Sequence, residues 1–134
     1  MTDTSMRSPA WPRWVGGFGA IWNSYGIYQY LMTVGLVGAS GSHSTMANAM
    51  PTWVSAAFAV SVFAGTLGGL CLLMLSRWAT GLLVVSLVAD LLWDIRTFSG
   101  GDRNSAIGIV VTATIVAIFL AWTSYHAGKR GWLR

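Results

Sequence analysis

The residue best placed to do chemistry is Asp90, a carboxylic acid in the middle of an otherwise apolar stretch. In a helix that begins at Trp78 it would lie about 18 Å from the start, at about 1.5 Å per residue. An Asp at the centre of a membrane-spanning helix costs about 2.5 to 3.5 kcal/mol, which is comparable with the gain from the surrounding Leu and Val residues. Asp94 and Arg96 lie nearer the end of the same stretch, where we expect both to reach water as interfacial anchors.

Three polar side chains in other apolar stretches are candidate partners of Asp90: Asn23, Gln29 and Thr112. Two interpretations stay open. Asp90 is a proton or cation site, because an ionisable group inside a membrane is most often functional. Alternatively, Asp90 is a structural carboxyl that hydrogen bonds from these three residues stabilise. With Tyr30, the polar residues of the first stretch would line a path for a solute.

No sequence pattern for catalysis accompanies this candidate polar site. The chain has one cysteine, Cys71, and two separated histidines, His43 and His126, which do not have metal-ligand spacing. It contains no Walker, GxSxG or HExxH motif. We therefore expect no enzymatic activity, no cofactor and no metal.

The composition indicates a membrane protein. Of 134 residues, 54% are hydrophobic and only 9% are charged, whereas soluble domains carry about 25% charged residues. The mean hydropathy is +0.60. Too few charges are available to cover a globular surface, which argues against a soluble enzyme or a disordered tail. The basic residues form no run with interleaved aromatics, which argues against nucleic-acid binding.

Four apolar segments are long enough for membrane helices, since a bilayer core needs about 20 residues. They cover about 14–34, 53–75, 78–98 and 106–125. The sequence thus predicts one transmembrane domain over residues 1–134. Its expected fold is an all-α four-helix bundle with up-down-up-down topology.

The distribution of basic residues predicts the orientation, because cytoplasmic loops carry more Lys and Arg. Six lie on one side of this topology and two on the other. The first group is Arg7, Arg13, Arg77, Lys129, Arg130 and Arg134; the second is Arg96 and Arg103. Both termini are expected in the cytoplasm.

Small residues recur at helical spacing in the first two segments. They are Gly16, Gly19 and Gly26 in the first, and Ala57, Ser61, Gly65 and Gly69 in the second. Such stripes allow the backbones of membrane helices to approach closely. They predict packing seams, either within the chain or with another subunit.

Several segments together resemble a family of small four-span bacterial inner-membrane proteins of unknown function, often labelled automatically as sugar transporters. The resemblance covers nearly the whole chain. It implies four spans and an inner-membrane location, and it carries over no catalytic or binding residue. The matching segments are Ile21-Trp22-Asn23 with Gly26, Pro51-Thr52-Trp53-Val54, Ala57-Phe58-Ala59-Val60, 62–68, Leu72-Leu73, Ser76-Arg77-Trp78-Ala79, Ser86-Leu87, and Arg130-Gly131-Trp132-Leu133-Arg134.

Two functions are consistent with these patterns. The seams and the missing catalytic motifs favour a non-catalytic accessory or stabilising subunit of a larger bacterial inner-membrane complex, whether respiratory, photosynthetic or transport. The alternative is a small oligomeric solute or proton-coupled transporter that uses Asp90 within the bundle. The expected partners are the lipid bilayer and other integral membrane subunits or further copies of the chain.

Overall fold

The structure is a computed structural model that describes residues 9–38, 50–99 and 103–134. Four α-helices are formed and the described ranges contain no strand, which confirms the all-α prediction. Arg7, which the sequence assigns to the cytoplasmic side, and His43 lie outside the described residues. The helices are α1 (Trp11–Thr33), α2 (Thr52–Leu73), α3 (Trp78–Ser99) and α4 (Arg103–Lys129).

Three of these helices contain segments long and apolar enough to cross a membrane: Thr52–Leu73, Trp78–Ser99 and Ile107–Lys129. Helix α1 has 23 residues, but Asn23, Ser24 and Gln29 lower its mean hydropathy. Large apolar side chains remain exposed on the outer faces of all four helices. Exposed apolar surface on this scale is typical of a protein that meets lipid or other protein subunits.

Helix α2 lies between α1 and α3, while α4 packs mainly on α3 and touches α1. Glycines on α2 make this possible. A Cβ atom at Gly69 would lie 2.6 Å from the backbone nitrogen of Ala20 in α1. A Cβ atom at Gly68 would lie 2.7 Å from the Leu83 side chain in α3. Since real Cβ atoms do not approach so closely, the missing side chains let both neighbouring helices pack against α2.

One end of the bundle is closed by the C-terminal segment. Leu75 adopts a positive φ of 56° in the turn after α2. The amide of Arg134 donates to the Leu75 carbonyl at 2.7 Å, and the Arg77 amide donates to the Arg134 carbonyl at 3.0 Å. Leu133 is buried in the apolar core beside Leu72. These contacts fix the C-terminal segment to the turn that joins α2 and α3.

Replacing Gly69 with Ala should destabilise the fold, because the added methyl group would push α1 away from α2. We expect the free energy of unfolding to fall by about 1–3 kcal/mol. The control is Gly81→Ala, because a Cβ at Gly81 meets nothing within 4 Å and Ala favours a helix by about 0.8–1.0 kcal/mol over Gly. Unfolding in mixed detergent micelles, followed by circular dichroism, measures both variants. Equal effects of the two substitutions would contradict the close approach of α1 and α2.

Candidate functional site

The candidate site begins with three polar residues on one face of α3: Ser86, Asp90 and Asp94. Their spacing of four residues places them one turn apart along the helix. All three side chains are buried, with 5%, 9% and 6% of their surfaces exposed. The buried face of α3 therefore carries two carboxyl groups on consecutive turns.

Asp90 lies against α2, where a serine contacts it. The Ser61 hydroxyl donates a hydrogen bond to Asp90 Oδ1 at 3.3 Å. The Ser86 hydroxyl donates in turn to the Ser61 backbone carbonyl at 2.8 Å. The second oxygen of Asp90, Oδ2, is buried without a hydrogen-bond partner. The two serines thus fix α2 against α3 and leave half of the carboxyl unsatisfied.

Asp94 lies against α4 instead, and the expectation that it reaches water is wrong. Its side chain is only 6% exposed because α4 covers it. The Thr114 hydroxyl donates to Asp94 Oδ2 and also lies 2.9 Å from the Val110 carbonyl oxygen. Asp94 Oδ1 is buried without a hydrogen-bond partner. Each carboxyl of the pair therefore has one bonded and one unpartnered oxygen.

These hydrogen bonds limit what the carboxyl pair can do. Serine and threonine hydroxyls are uncharged, and an ionised carboxylate is costly to bury without a compensating charge. An unpartnered carboxyl oxygen can take up a proton or accept a hydrogen bond from a ligand. The arrangement is thus suited to binding protons, or a donor group carried by a solute.

The predicted partners of Asp90 lie elsewhere. Its hydrogen bond comes from Ser61 rather than from Asn23, Gln29 or Thr112. Thr112 is exposed to the outside of the bundle and donates to the Gly108 carbonyl of its own helix at 2.7 Å. Gln29 is half-buried on α1. The difference arises from the rotation of each helix about its axis, which decides which polar residue turns inward.

Asn23 lies closer to the site than Gln29 or Thr112. Its amide nitrogen donates to the Gly19 carbonyl at 2.8 Å. Its carboxamide oxygen occupies the space that a side chain at Gly65 would fill, and the Ser86 hydroxyl borders the same space, 2.8 Å from the position of that missing Cβ. Asn23 of α1 and Ser86 of α3 therefore meet in the space that the missing side chain of Gly65 leaves open.

An aromatic cluster packs on α3 next to the carboxyl pair. Trp93 stacks on Phe58 of α2 with ring centroids 5.0 Å apart. Tyr30 of α1, a predicted path residue, contacts Phe58 edge-on at 5.9 Å. These rings join α1, α2 and α3 beside Trp93, the residue that directly precedes Asp94.

The residues of the predicted seams face other helices of the same chain. A Cβ at Gly16 would lie 2.7 Å from the Gly69 carbonyl oxygen, and one at Gly26 would lie 2.7 Å from Val62. Gly19 packs against the Leu120 side chain of α4. Ala57 is half-buried. The close approaches of Gly16, Gly19, Gly26, Gly65 and Gly69 are thus made inside the bundle.

Other residues with reactive side chains have structural surroundings. Cys71 packs against the apolar core. The His126 ring stacks on Trp122 at 5.4 Å and meets Trp132 edge-on at 6.1 Å. Among the described residues, no group of three or more His, Cys, Asp or Glu side chains could hold a metal ion.

The chain was compared with protein-family models, with curated proteins and with solved structures, and none of them matches. The geometry of the described residues is therefore the basis for a functional proposal. The sequence identified Asp90 but not the pairing of Asp94 with Thr114. The signal for Asp94 was its position four residues after Asp90, on the same helix face.

Replacing Ser61 with Ala removes the hydroxyl that contacts Asp90 and leaves Oδ1 of the carboxyl unpartnered. We expect the free energy of unfolding to fall by about 0.6–1.7 kcal/mol, as for other hydrogen bonds between membrane helices. Ser99→Ala is the matched control, because Ser99 is exposed and, among the described residues, its hydroxyl bonds only to the Ile95 carbonyl of its own helix. Its effect should stay within about 0.5 kcal/mol. Unfolding in mixed micelles measures the two variants, and equal losses would argue against the hydrogen bond.

Proposed function

We propose that the protein is a four-span protein of the bacterial inner membrane, with up-down-up-down topology and both termini in the cytoplasm. Three apolar helices support the membrane location. The 23 residues of α1 match the length that a bilayer core needs, about 20 residues, which supports a fourth span. The order of contacts supports opposite directions for α1 and α2, since Gly16 meets Gly69 while Gly26 meets Val62.

The excess of Lys and Arg at one end supports the proposed orientation. In this topology, Arg13, Arg77, Lys129 and Arg130 lie at the same end as the C-terminal segment. Arg96 lies at the opposite end of α3. The bacterial inner membrane is the location that the family resemblance implies.

Within this frame, we propose that the chain acts as a small oligomeric transporter coupled to protons, with Asp90 and Asp94 as the proton-binding groups. The observation that carries the proposal is the buried carboxyl pair on consecutive turns, with one unpartnered oxygen on each residue. Protons would pass between the two carboxyls, while hydrogen bonds from Ser61 and Thr114 hold the two carboxyl side chains in place. Since four helices enclose little space, a complete solute path would need more than one copy.

A second proposal is the accessory subunit of a larger inner-membrane complex. The surface of α4 supports it, because only 22% of the apolar segment of α4 is buried inside the bundle, against 33% of the corresponding segments of α2 and α3. A further membrane helix could cover that face. The small-residue seams favour this proposal when the sequence is considered alone. In the structure they support it less, because they pack against other helices of the same chain.

Proton transport can be tested with purified protein in liposomes that contain a pH-sensitive dye. A potassium diffusion potential set by valinomycin drives proton entry. Because the proposal lets protons pass through the carboxyl pair even when no solute is bound, the wild-type protein should acidify the interior faster than protein-free liposomes do. Asp90→Asn and Asp94→Asn should each reduce the rate to that of protein-free liposomes, because an amide cannot carry the proton.

Arg96→Gln is the control, since it also removes a charge from α3 but from an exposed position outside the carboxyl pair. It should leave the rate unchanged. Wild-type flux that survives in both Asn variants would remove the carboxyl pair from the mechanism.

The accessory-subunit proposal has a separate test. The tagged protein, expressed at its native level and purified in mild detergent, should bring the same membrane subunits along in each preparation. Recovery of the chain alone as a single monodisperse species would contradict this proposal.

A further inference from the structure

An open groove of about 370 Å³ runs between α3 and α4 on the outer face of the bundle. Its walls are apolar and come from both helices: Leu91, Ile95 and Phe98 on α3, and Val110, Val111 and Ile115 on α4. Several of these side chains are exposed, with Ile95 at 64% and Ile115 at 61%. In a bilayer the groove would therefore be reached sideways from the lipid.

The groove differs from an ordinary gap between membrane helices because an acidic residue, Asp94, is among those that line it. Asp94 and Thr114 are its only polar lining residues among those that the structure describes. Asp94 is more than nine-tenths buried, and its Oδ1 atom has no hydrogen-bond partner. Buried polar atoms in folded proteins are nearly always paired. The unpartnered oxygen is therefore an acceptor that a hydrogen-bond donor would satisfy, and a ligand in the groove reaches it when α3 and α4 move slightly apart.

The chemistry of the groove selects the class of ligand. A lipid acyl chain would fit the apolar walls but would leave Oδ1 unpartnered. A carboxylate or phosphate would be repelled by Asp94 when that residue is ionised. An ammonium group donates hydrogen bonds and carries the opposite charge, and such charge-assisted bonds are about twice as strong as neutral ones. An apolar body attached to that group would fill the space between the helices.

We propose that the groove between α3 and α4 binds amphipathic amines, with the ammonium group on Asp94 and the apolar part between the two helices. The volume of about 370 Å³ lies within the range of about 300–1,000 Å³ of small-molecule sites. The inference rests on the proposed function, since it names the substrate class that would exchange with protons at Asp94. It concerns binding, which can be measured without a proton gradient.

Dansylcadaverine is a suitable probe, because it joins a fluorescent apolar ring system to a primary ammonium group. Its N-acetyl derivative has the same ring system but no charge. Titration of the full-length protein in detergent micelles should show saturable binding of the amine. The N-acetyl derivative should bind at least about tenfold more weakly, a ratio that corresponds to about 1.4 kcal/mol.

Two variants probe the two halves of the site. Asp94→Asn should abolish the preference for the amine over its N-acetyl derivative, because the amide no longer offers a charged acceptor. Val111→Phe should weaken the binding of both probes, since the larger side chain fills the groove. The control is Val88→Phe, because Val88 is also exposed on the outer surface but does not line the groove. It should leave both affinities unchanged.

Three results would overturn the proposal: equal affinity for the two probes in the wild type, an unchanged preference in Asp94→Asn, or equal effects of Val88→Phe and Val111→Phe. The last would show that the probe enters the micelle rather than the groove. The outcome is also distinct from that of the transport assay. Amine binding without proton flux would reject only the proposed transport, whereas proton flux without amine preference would reject only the groove as an amine site.

Discussion

The glycines of α2 are the constraint on which the packing of the other helices depends, because they have no side chains where those helices come close. At Gly69 the backbone of α1 comes so close that a methyl group would not fit, and at Gly68 the Leu83 side chain of α3 inserts. At Gly65 the Asn23 carboxamide of α1 and the Ser86 hydroxyl of α3 occupy the space that a side chain would fill. Because both neighbours pack so tightly on α2, Ser61 comes within hydrogen-bonding distance of Asp90. The contact between Ser61 and Asp90 thus depends on glycine positions on α2, whereas Asp94 is held by Thr114 of α4.

The stability that the polar site provides does not explain its presence. An Asp near the centre of a membrane helix costs about 2.5 to 3.5 kcal/mol, whereas a hydrogen bond between membrane helices contributes about 0.6 kcal/mol on average. Ser61 and Thr114 therefore compensate only a small part of the cost of two carboxyls. A buried apolar pair of similar size would hold the helices at least as well. Because the cost of burying the carboxyls exceeds the stabilisation from their hydrogen bonds, a role in which they exchange protons or contact a ligand is favoured.

Much of the fold could be predicted from the sequence, because hydropathy alone locates the long apolar helices. Pro51 directly precedes the first residue of α2, and Ser76-Arg77 directly precede the first residue of α3. The buried position of Asp90 followed from the apolar residues around it. The partners of the carboxyls could not be predicted, since they depend on how each helix is rotated about its axis. Thr112 and Thr114 are two residues apart on α4, yet only Thr114 turns inward to Asp94. The position of Asp94 near Arg96 and the helix end predicts contact with water, but α4 covers the side chain.

The central claim is that Asp90 and Asp94 form a pair that binds and releases protons inside the bundle. Infrared difference spectroscopy on the protein in lipid, recorded as the pH is changed, tests it most directly because a protonated carboxyl has its own carbonyl stretching band. The account predicts a pH-dependent carboxyl band in the wild type that loses intensity in Asp90→Asn and in Asp94→Asn. A carboxyl band that neither substitution alters, or the absence of any such band across the pH range in which the protein stays folded, would contradict it.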